Sequence, residues 1–334
     1  MKNNEIITHY LNGKTLLVTG GTGSFGKKFI RTVLDNYGIK RLIVYSRDEL
    51  KQEEMRTMYG FTDERLRYFI GDVRDRDRLY RAMIDIDVVV HAAAMKQVMA
   101  SEYNPIEAIR TNINGAENIV NVAIDRRVKK VIALSTDKAV NPINLYGATK
   151  LVAEKLFIQG NNYSSTDGAK FSCVRYGNVV GSRGSVVPLF NHQKKSGVIT
   201  VTDKRMTRFW ITLDQGVNFV LKSIELMCGG EVFIPIIPSM NITDLAKAMA
   251  PECKVKSVGI RPGEKLHEVL VSKEESRGTY EFDDMLVIRS GSLFREPANP
   301  LWTKGNKMKK ISYSSDNNTE WLDKKGILEM IKQS

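Results

Sequence analysis

The sequence predicts an α/β protein with a doubly wound parallel sheet and a smaller C-terminal lobe. Two observations predict this class. Short apolar segments alternate with helix-like segments over the first 180 residues, which is the pattern of a parallel sheet covered by helices on both faces. After about residue 181 the alternation fades and prolines become more frequent, as expected for an irregular second lobe.

The first strand-turn-helix unit begins with the apolar segment 16–19 and continues into a glycine-rich turn at 20–26. Glycine permits the tight turn and lets the backbone approach a pyrophosphate, and the following helix offers free N–H groups to the phosphates. A glycine turn between a strand and a helix is typical of the Rossmann dinucleotide-binding fold. The predicted cofactor contacts in the turn are Gly20, Thr22, Gly23, Ser24, Phe25 and Gly26.

The second predicted strand, 41–45, is followed by Ser46, Arg47 and Asp48. An acidic residue at this strand end holds the ribose 2′-hydroxyl of NAD, whereas an arginine accommodates the 2′-phosphate of NADP. Ser46 and Arg47 stand where this choice is made, so the sequence favours NADP. Asp48 keeps NAD open as the alternative, and an ordinary surface position for Arg47 is the competing interpretation.

Four further apolar segments, at 67–70, 87–90, 130–134 and 171–175, complete the predicted parallel sheet, and a helix at 216–227 is expected to return to it. The first domain is therefore predicted at 1–180 plus about 209–238, and the second lobe at 181–208 and 239–334. Ligands of such sheets bind beyond the carboxyl ends of the strands. The candidate residues at these ends are Asp72, Val73, Ala92, Ala93, Ala94, Thr136 and Asn178.

The composition excludes several classes of protein. With 334 residues, 42% hydrophobic and 26% charged, the chain is typical of a globular protein. No apolar run reaches the roughly 20 residues that a membrane helix needs, and the N-terminus has no apolar signal segment, so we expect a cytoplasmic protein with no membrane partner. The cysteines (Cys173, Cys228, Cys253) and the four histidines are scattered, which predicts neither a disulfide framework nor a metal site.

The net charge of +12 has two competing interpretations, a nucleic-acid surface or a site for an anionic substrate and an anionic cofactor. Basic residues recur singly beside acids, as in the Arg-Asp-Arg-Asp-Arg of 74–78, rather than in one block. That segment is predicted to be the solvated start of a helix. The pattern favours small anionic ligands and predicts no nucleic-acid partner.

The segment 135–150 carries the candidate chemistry, with Thr136, Asp137, Lys138, Tyr146 and Lys150 in a short stretch. Tyr146 and Lys150 are four residues apart and share one face of a helix. A lysine ammonium beside a tyrosine lowers a phenol pKa that starts near ~10. The resulting phenolate can take the proton of a sugar alcohol while a hydride leaves the same carbon. The sequence therefore predicts redox chemistry on an alcohol.

These motifs resemble the extended short-chain dehydrogenase/reductase family. Within it, the chain is similar to the inverting UDP-N-acetylglucosamine 4,6-dehydratases of pseudaminic acid biosynthesis. The phrases that carry the similarity are residues 45–52, 135–150, 175–185, 205–210, 261–268 and 313–318, so it extends over nearly the whole chain. The Asp137-Lys138 pair after Thr136, together with the later phrases, is much more specific than the glycine turn.

The resemblance implies an internal redox reaction on a UDP-sugar. Tyr146, assisted by Lys150 and Thr136, would take the C4 hydroxyl proton while NADP takes the hydride. Lys138 would then remove the C5 proton and Asp137 would protonate the departing C6 hydroxyl, after which hydride returns to C6 and C5 is inverted. NADP would stay tightly bound because no net reductant is consumed. The competing roles are a helix cap for Asp137, a cofactor-phosphate contact for Lys138 and a core position for Tyr146.

The resemblance also implies contacts to the UDP-sugar and a homo-oligomer. Arginines suit the diphosphate because their planar donors match phosphate oxygens, and rim positions are the competing interpretation. Lys96 is expected to contact both cofactor and sugar. The other predicted substrate contacts are Asn178, Ser185, Val186, Arg205, Met206, Arg208, Arg261 and Glu264.

The loop after the alanine run departs from the family pattern. Gln97 stands where the inverting dehydratases carry histidine, and Met99 where they carry proline. The first change removes a titratable group and the second frees the backbone. We expect the dehydratase reaction; the alternative is a related UDP-sugar oxidoreductase or 5-epimerase of the same pathway, acting on a 4-keto or 5,6-unsaturated intermediate. The intact catalytic segment disfavours a binding protein that has lost activity.

Overall fold

The computed structural model describes residues 10–181, 186–289 and 305–333. Its strands are β1 (Thr15–Thr19), β2 (Arg41–Ser46), β3 (Leu66–Ile70), β4 (Val88–His91), β5 (Lys130–Thr136), β6 (Lys170–Tyr176), β7 (Asn178–Val179), β8 (Val198–Val201), β9 (Thr207–Ile211), β10 (Glu231–Pro235), β11 (Ser239–Asn241), β12 (Lys254–Ser257), β13 (Val269–Val271), β14 (Thr279–Glu281), β15 (Met285–Arg289), β16 (Asn306–Lys307) and β17 (Tyr313–Ser314). Its helices are α1 (Ser24–Asn36), α2 (Glu49–Thr57), α3 (Arg76–Ala82), α4 (Val98–Tyr103), α5 (Pro105–Ile109), α6 (Gly115–Asp125), α7 (Leu145–Tyr163), α8 (Val186–Lys194), α9 (Leu213–Leu226), α10 (Ile242–Met249) and α11 (Lys324–Lys332).

A ten-stranded sheet forms the centre of the molecule, in the order β16-β14-β15-β10-β6-β5-β4-β1-β2-β3. The seven strands from β10 to β3 run parallel, and β15 joins β10 antiparallel. Every residue of β1, β4 and β10 is buried, because helices cover both faces of a doubly wound sheet. The predicted α/β class with a parallel Rossmann sheet is confirmed.

The order of the strands changes direction between β1 and β4. The chain first runs outward through β2 and β3, then crosses back over β1 to β4, β5 and β6. In open parallel sheets the crevice at such a point, beyond the carboxyl ends of the strands, is where ligands bind. The glycine turn after β1 and the Asp137-Lys138 pair after β5 both lie at this edge.

A second, smaller core lies beside the sheet. It is built from apolar side chains of α8, β8, α10 and α11, among them Phe190, Ile199, Leu245 and Ile327, each at most 1% exposed. Met206 and Trp210 join it from the segment that precedes and includes β9. This core accounts for most of the irregular C-terminal part of the chain, although β14, β15 and β16 from the same part extend the large sheet.

The helix predicted at 216–227 is α9, and its neighbour β10 pairs with β6. The segment 74–78 leads into α3, whose first turn is capped by the Asp75 carboxylate accepting from Arg78 N at 2.9 Å. Ser185 lies outside the described residues. Within the described ranges, no helix is long and apolar enough to cross a membrane.

Candidate active site

A cavity of about 590 Å³ runs along the carboxyl ends of the parallel strands. All sixteen residues predicted to contact a cofactor line it, from Gly20 in the turn after β1 to Lys150 on α7. The sequence did not point to several other lining residues, because their positions follow from how the strands are arranged. These include Tyr45, Thr111, Leu134, Tyr176, Gly177 and Val179.

The turn between β1 and α1 is shaped for a dinucleotide. A Cβ on Gly26 would stand 2.5 Å from Gly21 Cα, so only glycine lets α1 pack this closely on the turn. Gly20 has a φ of +67°, which favours glycine as well. The first turn of α1 holds no acidic residue, and Gly23 offers no side-chain cap to its N–H groups. Those N–H groups and the helix dipole suit a pyrophosphate.

The end of β2 faces the same cavity. Thr22 Oγ1 donates to Ser46 Oγ at 3.2 Å, which ties this strand end to the glycine turn. The Asp48 carboxylate accepts from Lys51 N at 3.0 Å and pairs with the Lys51 ammonium, so it caps α2. Arg47 keeps an exposed side chain, with Nη1 3.5 Å from Asp72 Oδ2. The exposed cation at this strand end is therefore Arg47, whereas the Asp48 carboxylate is occupied by Lys51 and the cap of α2.

The Asp137–Ala139 turn and α7 pack together closely enough to bring Lys138 beside Tyr146. Asn144 caps α7 by accepting from Gly147 N at 2.7 Å, which leaves Asp137 without that role. Gly147 packs directly on the Lys138 backbone: a Cβ there would overlap Lys138 O and stand 3.1 Å from Pro142 Cβ. The glycine after Tyr146 is thus required by this contact.

Thr136, Asp137 and Lys138 form a hydrogen-bonded cluster at the end of β5. Thr136 Oγ1 donates to Asp137 Oδ1 at 2.9 Å, and Lys138 Nζ donates to the same oxygen at 3.0 Å. Asp137 is fully buried, and its Oδ2 has no hydrogen-bond partner among the described residues. Burial alone would lower the pKa of Lys138, but the nearby Asp137 and Glu268 carboxylates outweigh it and raise that pKa. In the free protein Lys138 is therefore an ammonium.

The pKa of Tyr146 differs from the sequence expectation. Burial raises it above its usual value, and the partly opposing influences are the Lys138 ammonium and a hydrogen bond with Thr136. Lys150 instead donates from Nζ to Leu134 O at 2.6 Å, and burial lowers its own pKa. The expectation that Lys150 lowers the Tyr146 pKa is wrong for the free protein, because desolvation dominates and Lys138 is the cation that acts on the phenol.

Asn112 fixes the loop that carries the departures at Gln97 and Met99. A π-helical turn at Arg110–Asn114 holds Asn112, whose amide accepts from Met95 N at 2.8 Å and donates to Met95 O at 2.9 Å. Gln97 and Met99 themselves are exposed. No local pattern pointed to Asn112, since a π-turn inside a helical stretch has no distinct sequence signature.

The predicted substrate residues are spread over several elements of the fold. Apart from Lys96, they do not appear among the residues that line the cavity, as far as the described chain shows. Arg208 is buried and donates to the carbonyls of Thr207, Leu266 and Lys265. Arg205 is exposed and pairs with Asp203, and Asn178 Oδ1 is buried with no partner among the described residues. Asn178 lies on β7 and Val186 begins α8. Met206 lies just before β9, and Arg261 and Glu264 lie in the loop before β13.

Glu268 is a charged neighbour of Lys138 that the sequence did not single out. It directly precedes β13, is 2% exposed, and its Oε1 lies 3.6 Å from Lys138 Nζ. In the described ranges, no group of three or more His, Cys, Asp or Glu residues is placed to hold a metal ion. The site is thus a dinucleotide cavity with a buried acid and a half-buried amine and phenol at one end.

Comparison with known proteins agrees with this geometry. The model of a family described as "Polysaccharide biosynthesis protein" matches residues 16–290. The chain belongs to the polysaccharide biosynthesis protein family. Among its relatives in this family is the "UDP-N-acetylglucosamine 4,6-dehydratase (inverting)" of Campylobacter jejuni subsp. jejuni serotype O:23/36 (strain 81-176), 54% identical over 331 residues, which are 97% of this chain and 98% of that protein. The resemblance inferred from the motifs is confirmed.

Two solved structures share the fold of this chain. Pen from Bacillus thuringiensis superposes with a TM-score of 0.87 at 38% identity, covering 97% of this chain and 98% of that one. DesIV, a dTDP-glucose 4,6-dehydratase from Streptomyces venezuelae with NAD and TYD bound, gives a TM-score of 0.65 at 22% identity, covering 75% and 86%. At 22% identity, the similarity to DesIV shows a shared fold and no more.

Proposed function

We propose that the chain is a UDP-N-acetylglucosamine 4,6-dehydratase that inverts C5. The observation that carries this proposal is the Thr136–Asp137–Lys138 cluster, with its buried carboxylate, beside Tyr146 at one end of the dinucleotide cavity. Oxidation of an alcohol needs a hydride acceptor and a base such as Tyr146, and no further acid or amine. An additional acid and amine at the same place suit the loss of water from the neighbouring carbons. The 54% identical relative with that name supports the same reaction.

The cavity suits a nicotinamide dinucleotide, which when bound would supply hydride transfer to and from the sugar. The glycine turn would hold its pyrophosphate, and Asp72, Val73 and the alanine run after β4 line the space for the rest. We propose NADP in preference to NAD, because Arg47 is exposed at the end of β2 while Asp48 is engaged as the cap of α2. NAD is the alternative, because an acidic residue, Asp48, also stands at this strand end.

Tyr146 would take the proton of the C4 hydroxyl. Its pKa is raised by burial, so the phenolate depends on its cationic and hydrogen-bonding neighbours. Thr136 supplies a hydrogen bond and Lys138 a positive charge, and both act to lower this pKa. Lys150, held on Leu134 O one helical turn away, would orient groups at the cofactor end of the site.

Lys138 and Asp137 would carry out the elimination. A proton passed over the 3.0 Å from Lys138 Nζ to Asp137 Oδ1 turns the ammonium into a base and the carboxylate into an acid. Once C4 is a ketone, the C5–H bond breaks with its proton going to Lys138 Nζ, and its electron pair forms the C5–C6 double bond. The C6–O bond breaks at the same time, and the hydroxyl leaves as water with the proton of Asp137. The pair thus returns to its starting charges.

The smaller lobe, at 181–208 and 239–334, would bind the UDP part of the substrate. Its proposed contacts remain Arg205, Arg208, Arg261 and Glu264, together with Ser185, Val186 and Met206. We further propose that the protein is a cytoplasmic homo-oligomer and that its 4-keto-6-deoxy product enters pseudaminic acid-type sugar synthesis. These proposals rest on the family resemblance.

The reaction is tested by incubating the purified protein with UDP-N-acetylglucosamine in deuterated water and following the products by NMR. The proposal predicts a 6-deoxy-4-keto sugar with deuterium at C5 and inverted configuration there. Recovery of unchanged substrate, or retention of configuration at C5, would overturn it. Absorbance of the protein as purified shows whether a nicotinamide cofactor is retained.

A second candidate is a UDP-sugar oxidoreductase or 5-epimerase acting on a 4-keto or 5,6-unsaturated intermediate. The departures at Gln97 and Met99 favour it, because they fall in the loop that Asn112 fixes beside Lys96 in the cavity. A product that keeps its C6 oxygen, formed from a 4-keto UDP-sugar, would identify this reaction. The Q97H/M99P variant then serves as a matched comparison, since it restores the family pattern.

A further inference from the structure

We propose that Glu268 is a positioning residue for proton removal at C5, which holds the Lys138 amine in place together with Asp137. The inference rests on the proposed function, in which Lys138 is the base. It adds a second carboxylate, contributed by the C-terminal part of the chain, to a site otherwise built from β5 and α7. Glu268 ends the family phrase 261–268, but the sequence predicted no role for it, since it is remote in the chain from the segment 135–150.

Lys138 lies close to two carboxylates. Its Nζ lies 3.0 Å from Asp137 Oδ1 and 3.6 Å from Glu268 Oε1. Glu268 is 2% exposed, and its Oε2 is buried with no hydrogen-bond partner within the described part of the chain. A buried carboxylate is costly unless a cation accompanies it. The structure therefore gives Glu268 a strong electrostatic reason to hold the lysine ammonium.

The backbone of Glu268 is fixed on both sides. Its N–H donates to Ser315 Oγ at 2.9 Å, and its carbonyl accepts from Ser315 N at 2.8 Å. Ser315 is itself fully buried and shares a hydrogen bond of 2.6 Å with Thr207 Oγ1. Just beyond Glu268, Arg175 donates to Leu270 O at 2.8 Å. The carboxylate is therefore presented from a rigid support, as a positioning role requires.

Asp137 alone is a poor anchor for Lys138. In the elimination it takes up a proton and then gives it away, so it is neutral for part of the cycle. A neutral acid does not attract an ammonium, and the lysine side chain has four carbons with free rotation. Glu268 has no such duty and can remain a carboxylate throughout. It would keep Nζ within reach of C5 when Asp137 changes its protonation.

Four charged groups surround the Glu268 carboxylate. Burial raises its pKa, the positive charges of Lys138, Arg208 and Lys265 oppose this rise, and the Asp137 carboxylate reinforces it. Arg208 Nε lies 3.8 Å from Glu268 Oε1. Because three cations face two carboxylates, Glu268 can stay ionised while the proton moves between Lys138 and Asp137.

The test separates the two half-reactions in E268Q and E268D. Single-turnover mixing with UDP-N-acetylglucosamine in deuterated water reports C4 oxidation as the absorbance of the reduced nicotinamide, and NMR reports deuterium at C5. E268Q is expected to oxidise C4 at the wild-type rate and to accumulate reduced cofactor, with C5 exchange about 100-fold slower, the loss typical of a misplacement of about 1 Å. E268D, which keeps the charge, is expected to recover part of the exchange.

The matched control is E231Q. Glu231 is also buried at 2% exposure, but it lies at the amino end of β10 and accepts from Ser172 Oγ at 2.5 Å. This variant is expected to exchange C5 normally per mole of folded protein. Unchanged C5 exchange in E268Q would overturn the inference, as would equal loss of C4 oxidation and C5 exchange in a folded, cofactor-loaded protein. A wild-type protein without any turnover would instead overturn the proposed function.

Discussion

Replacing Gly147 by alanine tests whether the close approach of α7 to the Asp137–Ala139 turn sets the position of Lys138. An added Cβ would overlap Lys138 O, far inside the 3.0 Å limit that real Cβ atoms respect, and would stand 3.1 Å from Pro142 Cβ. The contact is with backbone, which cannot rotate away. The turn must therefore move from α7 by on the order of 1 Å, and a misplacement of about that size costs about 100-fold in rate.

The same displacement has a cost in stability. Overpacking a close contact typically destabilises by about 1–3 kcal/mol. The control is G216A on α9, where an added Cβ would meet nothing within 4 Å and the backbone is helical. There the change is expected to stabilise by about 0.5–1 kcal/mol, because alanine loses less backbone entropy than glycine.

The assay for G147A combines urea unfolding with single-turnover measurement of deuterium entry at C5. We expect a lower free energy of unfolding and slower C5 exchange in G147A, with G216A at least as stable as the wild type and fully active. Wild-type stability together with wild-type C5 exchange in G147A would refute the geometric argument. Loss of activity in G216A would show that the assay responds to helical alanines in general.

Three further predictions concern the ion pairs and the cofactor. R175M is expected to lower the free energy of unfolding in urea by about 3–5 kcal/mol, because Arg175 is fully buried against two carboxylates. The control R76M, at an exposed ion pair, should change it by less than about 0.5 kcal/mol. Similar values for the two variants would contradict this. T136V removes a hydrogen bond that lowers the Tyr146 pKa. The rate of C4 oxidation, followed by stopped flow, should therefore rise at a higher pH than in the wild type. An unchanged pH profile would exclude Tyr146 as the titrating base. R47A is expected to weaken NADP binding at least about tenfold in calorimetry and to leave NAD binding unchanged. Only NADP carries the 2′-phosphate that the Arg47 guanidinium would contact. An equal loss of affinity for NADP and for NAD would argue for NAD as the cofactor.

The parallel sheet could be predicted from the sequence because its signals are local. The apolar segments assigned to β1 through β6 agree with the structure to within two residues at each end. The glycine turn and α1 follow directly in the chain, so their packing was also accessible. The antiparallel strands β14 and β15 were not predicted, because short strands in an irregular stretch lack a clear alternation of polar and apolar residues.

The candidate site was predictable where its residues are close in the chain. Thr136, Asp137, Lys138 and Tyr146 come from one strand end and the next helix, and the structure brings them together. Glu268 reaches Lys138 only because the C-terminal segment folds back onto β13, which no local pattern records. The pKa of Tyr146 likewise depends on burial, which a spacing of four residues from a lysine does not describe.

The division of labour within the segment 135–150 is tested most directly by K138A. Mixed with UDP-N-acetylglucosamine in deuterated water, this variant is expected to oxidise C4 and to accumulate reduced nicotinamide, because Tyr146 and Thr136 remain in place. Oxidation should be slower than in the wild type at neutral pH, since the Lys138 ammonium no longer lowers the Tyr146 pKa. It should form no 6-deoxy-4-keto product and incorporate no deuterium at C5. Rapid incorporation of deuterium at C5 by K138A would contradict the account, because another group would then be the base.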